Sequence, residues 1–397
     1  MPNNASVSFP DRNSWLESFG LAPDKDPFQA TAAENEEDVL ERYFTSVPFF
    51  EQMSRPQTTF LFLKRGAGKT ASRIMLQKKI QRESSQRALV VSCHSYNELI
   101  DKSNITLQDH VDLIMREAVR VLSQNIDFSR SSLDQNLVKN LMMFLKQYPD
   151  FFSNQIIRGA ITATNFVKAV ARDILVTKLG FSHTDKELDE LINSTDFSDV
   201  PPVEIVRKFG YLAKAFGFER VYIFIDGVDE DAGSDFSEKA VKMLVPFLKT
   251  TTLLQLSLFS FKLFLPLEIS ESLRAEVRFD KLSSYMIGAE WTTKLLHQLL
   301  EKRMEVFTNT SEIVGENKSL SRLFEDDGDL RNIVEGELII LAEESPRNLI
   351  SLIKCIIDEH TGAEAAINET GNLSIVPYIS RHTYEIAKAK WEKLCKC

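Results

Sequence analysis

Four cysteines and six histidines in 397 residues leave little material for a metal centre or a disulfide framework. Cys93, Cys355, Cys395 and Cys397 form no C-x₂-C pair and no cysteine–histidine cluster, which excludes a zinc ribbon and the cross-linked scaffold of a small secreted domain. Cys395 and Cys397 flank a single lysine and are open as a redox-active pair or as a frayed end, the preferred reading. The first residues are polar, without the charged and apolar blocks of a secretory signal, so the cytoplasm is the expected compartment. Long apolar runs are absent as well. The richest stretch, Thr250 to Leu267, is broken by Lys262 and Pro266 and reads as a helix end followed by a core strand, so no membrane span is expected. Positive charge is in deficit: the net charge is −10 and the pI about 5.3, which disfavours a chain that grips nucleic acid over its whole surface. Repeats and low-complexity tracts are missing too. What remains, 43% hydrophobic and 26% charged residues, is enough for a domain-sized core with a lid or insert.

The most informative segment is Phe60-Leu61-Phe62-Leu63-Lys64-Arg65-Gly66-Ala67-Gly68-Lys69-Thr70, an apolar strand running into a glycine-rich turn and reopening as a helix from Ala71. Such a turn points backbone N–H groups and the positive end of a helix at one spot, which suits a polyphosphate. Lys64, Arg65, Gly66, Ala67, Gly68, Lys69, Thr70 and Ala71 are the expected nucleotide contacts, with Lys69 on the β/γ-phosphates and the Thr70 hydroxyl on Mg²⁺. The first glycine of the full G-x-x-x-x-G-K-[ST] pattern is replaced by Leu63, which must find an allowed dihedral or strain the loop.

A second motif, Val221-Tyr222-Ile223-Phe224-Ile225-Asp226-Gly227-Val228-Asp229-Glu230, is an apolar strand closing on acids, as at the carboxyl edge of a parallel sheet. Asp226 is the expected Mg²⁺ residue, directly or through water. Glu230 or Asp229, just beyond the strand, is placed to orient an attacking water.

Together, Arg65 to Thr70 and Ile225 to Glu230 resemble the P-loop NTPases of the AAA+ and STAND ATPase groups. The form Asp-Gly-x-Asp-Glu is similar to that of STAND proteins, whereas AAA+ members place Glu directly after the metal Asp; here Gly227 stands there. The resemblance implies an α/β fold: a parallel-sheet P-loop core with a long helical insertion and a C-terminal helical lid. Residues 285–303, through Trp291, Leu295, Leu299, Leu300 and Arg303, resemble a fifth strand entering the lid. Ser345-Pro346-Arg347-Asn348-Leu349 resembles the lid segment whose arginine senses the γ-phosphate, which assigns Arg347 to the nucleotide. Arg274 and Arg278 follow the strand at Ser260 to Pro266 and are open as arginine fingers acting in trans or as ordinary surface charge. That strand ends without Asn, Thr or Arg; Lys262 and Glu268 are poor substitutes for a phosphate sensor, so slow hydrolysis is expected.

The division that follows is a leader over 1–57, a core over 58–288 with a helical insert at about 100–217, a lid over 289–360 and a tail over 361–397. The leader is too aromatic to be a disordered tail and is expected to pack on the core; Asn13-Ser14-Trp15-Leu16 reads as a capped helix start. Helical stripes mark the insert at Val111 to Val121, Leu137 to Leu145 and Phe166 to Leu179, and at a helix opened by Pro201 and Pro202 and stopped by Gly217. The tail resembles the start of a winged-helix module but stops too soon to complete one.

The functional expectation is a Mg-ATP-binding ATPase that acts as a conformational or assembly switch with a partner protein or further copies of itself, of the kind found in bacterial defence or signalling. Two alternatives remain. One is a DNA-associated ATPase of the origin-recognition or transposition type, through the basic residues Lys64, Arg65, Lys69, Arg73, Lys78, Lys79, Arg82 and Arg87. The other is a nucleotide-binding scaffold that does not hydrolyse.

Overall fold

The computed structural model describes residues 9–21, 27–29, 33–45, 47–83, 87–93, 96–126, 135–148, 186, 190, 199–229, 236–277, 279–308, 319–326, 329–343, 345–362, 366–367 and 373–395. The stripe Phe166 to Leu179 lies outside them. The chain divides into two compact units, one of residues 51–62 and 76–288, the other of 1–50, 63–75 and 289–397. The described residues include no helix long and apolar enough to cross a membrane.

The first unit carries a five-stranded parallel sheet: β1 (Thr59–Leu63), β2 (Ala88–Cys93), β3 (Arg220–Ile225), β4 (Phe259–Pro266) and β5 (Met286–Gly288), in the order β2-β3-β4-β1-β5. Register is set by pairs such as Phe60↔Met286, Val91↔Ile223 and Ile223↔Phe261. Every residue of β1 and β4 is buried, and in β2 and β3 only the first residue is not. Near-continuous apolar strands have this pattern because helices cover both faces of a parallel sheet. The connections after β2, β3 and β4 all travel toward the β5 edge, whereas the one leaving β1 travels back to β2. Direction therefore reverses at β1, and the carboxyl end of a strand at such a switch point is where open α/β sheets take ligands.

The insert helices at either end of the long β2–β3 connection belong to the sheet's own core. Val111, Ile114, Met115 and Ala118 of Leu107–Asn125, Leu141 and Phe144 of Gln135–Gln147, and Val206, Phe209 and Leu212 of Pro202–Ala215 form one cluster with Val91, Ile223 and Phe261. The Leu107–Asn125 helix starts on a reciprocal capping box, with Thr106 accepting from the Asp109 N–H and Asp109 accepting from the Thr106 N–H. Pro201 caps the Pro202–Ala215 helix, and Gly217 ends it at φ +83°, as its sequence requires.

One buried polar chain crosses this core. The His110 Nε2 lies 2.8 Å from Met243 O and its Nδ1 2.7 Å from the Tyr96 hydroxyl. A carbonyl only accepts, so Nε2 carries the proton and Nδ1 accepts from Tyr96. Burial pushes the His110 pKa down to about 4, from an ordinary 6.5. Below pH 6.5 the unfolded chain binds a proton that the folded one refuses, so stability present above pH 6.5 is lost as pH falls toward 4. The loss is about 3 kcal/mol. Urea titrations at pH 7.5 and pH 4.5 are expected to show it in the wild type and to show a smaller difference in His110→Asn.

In the second unit, leader residues within 1–50 pack on 289–397. Trp15 is fully buried, donates from Nε1 to Pro377 O at 2.9 Å and packs on His360 with ring centroids 4.9 Å apart. Arg12 pairs with Asp358. Phe9 and Leu21 form antiparallel bridges with Ile375 and Thr308. The first helix, Arg12–Ser18, is capped by Asp11 rather than within Asn13-Ser14: the Asp11 carboxylate accepts the Ser14 N–H at 2.8 Å from extended backbone. A carboxylate at that position also faces the helix's positive end, which the Asn13 side chain cannot match. The tail forms a small antiparallel hairpin, Ala366–Ile367 with Leu373–Ser374, followed by the helix Arg381–Cys395.

Candidate functional site

The chain leaves β1 at Leu63, which is fully buried as the last strand residue. A turn follows immediately: the Ala67 N–H donates to Lys64 O at 3.2 Å, and Gly66, third of the four residues, has φ +76°. That position of a type II turn demands positive φ, which glycine adopts without Cβ strain. Gly68 repeats the requirement at φ +83°, and the helix Lys69–Glu83 opens directly after it, with the Ser72 N–H on Gly68 O at 2.9 Å. Among the described residues Glu343 is the one non-glycine at positive φ, so Leu63 takes an allowed conformation and the loop needs no glycine there. The reversal has moved one residue on, into Lys64 to Ala67.

Lys64 and Arg65 are exposed, Ala67 is buried, and Gly66, Gly68, Thr70 and Ala71 are half-buried. Lys69, the first residue of the helix, is 8% exposed. Arg347 meets this loop through its backbone: its N–H donates to Gly66 O at 3.2 Å, while its side chain is exposed. A Cβ on Gly66 would lie 2.6 Å from Ser345 Oγ and 3.0 Å from Arg347 Cβ, so the start of the helix Pro346–Gly362 seats directly on the turn. The next carbonyl is held as well. Trp291 donates from Nε1 to Ala67 O at 2.9 Å, in a buried bond. Nothing in the spacing of Trp291 or Ser345 announces these roles; each depends on a residue more than two hundred positions away.

In the sheet-bearing unit, Asp226 follows β3 and is 4% exposed. Its N–H extends the β2–β3 ladder to Cys93 O at 3.4 Å, and Gly227 then turns the chain at φ +75°. Val228 is buried and Asp229 half-buried. Glu230 and Arg278 lie outside the described residues, and Arg274 is exposed. Among the described residues no group of three His, Cys, Asp or Glu could by itself hold a metal ion.

Lys262 has an architectural place. It is fully buried in β4, and its amine donates to Arg55 O at 2.7 Å and Gln57 O at 2.6 Å, carbonyls of the chain entering β1. That is the amino edge of the sheet, away from the β3 end that carries Asp226. Burial, reinforced by the charge of Arg220, pushes the Lys262 pKa down to about 7. Toward its carboxyl end β4 offers Leu263, Phe264 and Leu265, all buried, and Glu268 beyond it is exposed.

The basic run after the loop is largely engaged. Arg73 is buried; Lys79 pairs with Glu51 at 2.7 Å and with Glu83 at 3.8 Å; Arg87 donates to Phe216 O and stacks 4.2 Å from the Phe218 ring. No protein-family model matches the chain, and no curated protein matches its sequence.

Proposed function

We propose that this chain is a P-loop ATPase of AAA+/STAND build, which binds Mg-ATP and uses binding or slow hydrolysis to switch its conformation or its assembly with a protein partner. The observation that carries the reading is the pair of positive-φ glycines, Gly66 and Gly68, feeding a helix that opens at Lys69, all at the end of the strand where sheet direction reverses. That arrangement turns successive amides and a helix terminus to one anion. A parallel β3 that ends in buried Asp226 supports the reading by supplying a carboxylate of the kind that holds Mg²⁺.

The residues fit Mg²⁺ by the chemistry of their donors. Thr70 and Asp226 would each offer one hard oxygen, and the rest of the shell would come from phosphate and water. Bound there, Mg²⁺ would neutralise charge on the β- and γ-phosphates. Lys69 would hold the same oxygens, Arg347 would read the γ-phosphate from the Pro346–Gly362 helix, and Asp229 or Glu230 would orient the attacking water. A catalytically weak or silent form is favoured by one observation: β4 carries only buried apolar side chains where a sensor would stand, its one charged group being turned to the opposite edge. The DNA-associated alternative loses support because Arg73 is buried and Lys79 and Arg87 are taken up by Glu51 and by Phe216 O. Output then falls to a partner protein or a further copy of the chain.

Calorimetric titration and phosphate release on wild type, Asp226→Ala, Asp229→Asn and Glu230→Gln, with DNA as one condition, test this. Wild type is expected to bind ATP with Mg²⁺ dependence that Asp226→Ala loses. Glu230→Gln is expected to bind normally and hydrolyse nothing; turnover equal to wild type would transfer the role to Asp229. Absence of heat with every nucleotide would end the reading, and strong stimulation by DNA would restore the alternative.

A further inference from the structure

A phosphate loop works only if its amides face the anion before the anion arrives, because ordering them afterwards costs affinity. The peptide unit is planar and trans, so its carbonyl and N–H point in opposite directions. In the Ala67–Gly68 peptide the carbonyl is pinned by the Trp291 indole at 2.9 Å, which turns the Gly68 N–H the other way. The preceding Gly66–Ala67 peptide is held at both ends, its carbonyl by the Arg347 N–H and its own N–H by Lys64 O. Of the two peptides, the one controlled by Trp291 is the one that leaves an amide for a ligand.

The indole is itself rigidly carried. Trp291 is 8% exposed and stands next to Thr292, whose hydroxyl accepts the Leu295 N–H and caps the helix Thr293–Phe307. A buried N–H donor left without its acceptor is costly, so the indole and the Ala67 carbonyl hold one another.

We infer that Trp291 is a positioning residue for polyphosphate binding: by donating to Ala67 O it presets the Gly68 amide toward the anion. This rests on the proposed reading of the loop. A donor that presets an amide acts on the phosphates and not on the base, so its removal should weaken pyrophosphate and ATP by the same factor. Trp291→Phe keeps the ring and removes the donor.

The test is calorimetry of pyrophosphate and Mg-ATP with wild type and Trp291→Phe, combined with ¹⁵N-indole NMR of the wild type. With three tryptophans in the chain, the Trp291 signal is the one missing in the variant, and Trp15 and Trp391 serve as internal references. The expected result is a 3- to 10-fold loss for both ligands in the variant, and a Trp291 indole signal that shifts on pyrophosphate addition while the references stay. Equal affinity in variant and wild type overturns the inference. So does a loss confined to ATP, which would place Trp291 at the base. If the variant does not fold, the wild-type spectrum decides: with the indole resonances assigned through Trp15→Phe and Trp391→Phe, an unmoved Trp291 signal at saturating pyrophosphate overturns it. A wild type that binds neither ligand takes down the ATPase reading and this inference together, and is told apart because the failure is then in the unaltered chain.

Discussion

Lys69→Ala is expected to weaken Mg-ATP binding by roughly 10- to 100-fold, the effect of losing a charge-assisted hydrogen bond worth about 1.5–3 kcal/mol. The argument is positional. Lys69 opens a fifteen-residue helix directly after Gly68, so its ammonium is carried at the same helix end toward which the loop amides converge. At 8% exposure it is shielded from the solvent that weakens surface charges, whereas Lys64, five residues before it, is exposed. Lys64→Ala should therefore cost no more than a few-fold and serves as the control. Lys69→Arg keeps the charge but not the compact point geometry and is expected to fall between the two. Calorimetric titration on the three variants reads this directly. Equal affinities in Lys69→Ala and wild type would remove the loop as the nucleotide site, whatever the rest of the chain does.

The second large effect concerns stability. Arg303 is 2% exposed in the helix Thr293–Phe307, and its Nη2 donates to both carboxylate oxygens of Glu36 at 2.6 and 2.7 Å. Its Nε donates to Pro27 O, and its guanidinium lies 4.6 Å from the Tyr43 ring. The Tyr43 hydroxyl completes the set by donating to Glu36 at 2.5 Å. Burial holds the Tyr43 pKa well above its ordinary value, so that hydroxyl stays protonated and keeps donating. Removing one member leaves a carboxylate buried without its counter-charge, so Arg303→Ala is expected to cost about 3–5 kcal/mol. Replacing both, as Arg303→Met with Glu36→Leu, is expected to recover most of that loss, because no charge is then stranded. Urea unfolding at pH 7 measures both. A loss in Arg303→Ala no larger than that of an exposed arginine such as Arg274 would show that the pair is not holding the leader to this helix.

How much of the protein can be read in its sequence depends on how local each interaction is. The strands at 59–63, 88–93 and 220–225 follow from mostly apolar runs, and the Pro202–Ala215 helix from a proline pair and a closing glycine. Gly66 and Gly68 required nothing beyond their own φ angles. Even the local rules have limits: Asp11, three residues from Ser14, takes the cap in place of Asn13-Ser14, and its negative charge favours the helix's positive end. Leu63 was ambiguous until the turn could be seen to begin one residue later.

Sequence alone determined a buried strand, a glycine turn and a helix after it, read from Ala71 and starting two residues earlier at Lys69, and a second strand closed by Asp226, because glycine turns and apolar periodicity are local to the chain. Tertiary structure alone decided that Trp291, 224 positions on, holds the Ala67 carbonyl, that Arg303 reaches back to Glu36, and that Lys262 turns to the amino edge of the sheet. Those are choices of partner between residues remote along the chain, and what selects them is the need to satisfy buried donors and charges, which no spacing or periodicity encodes.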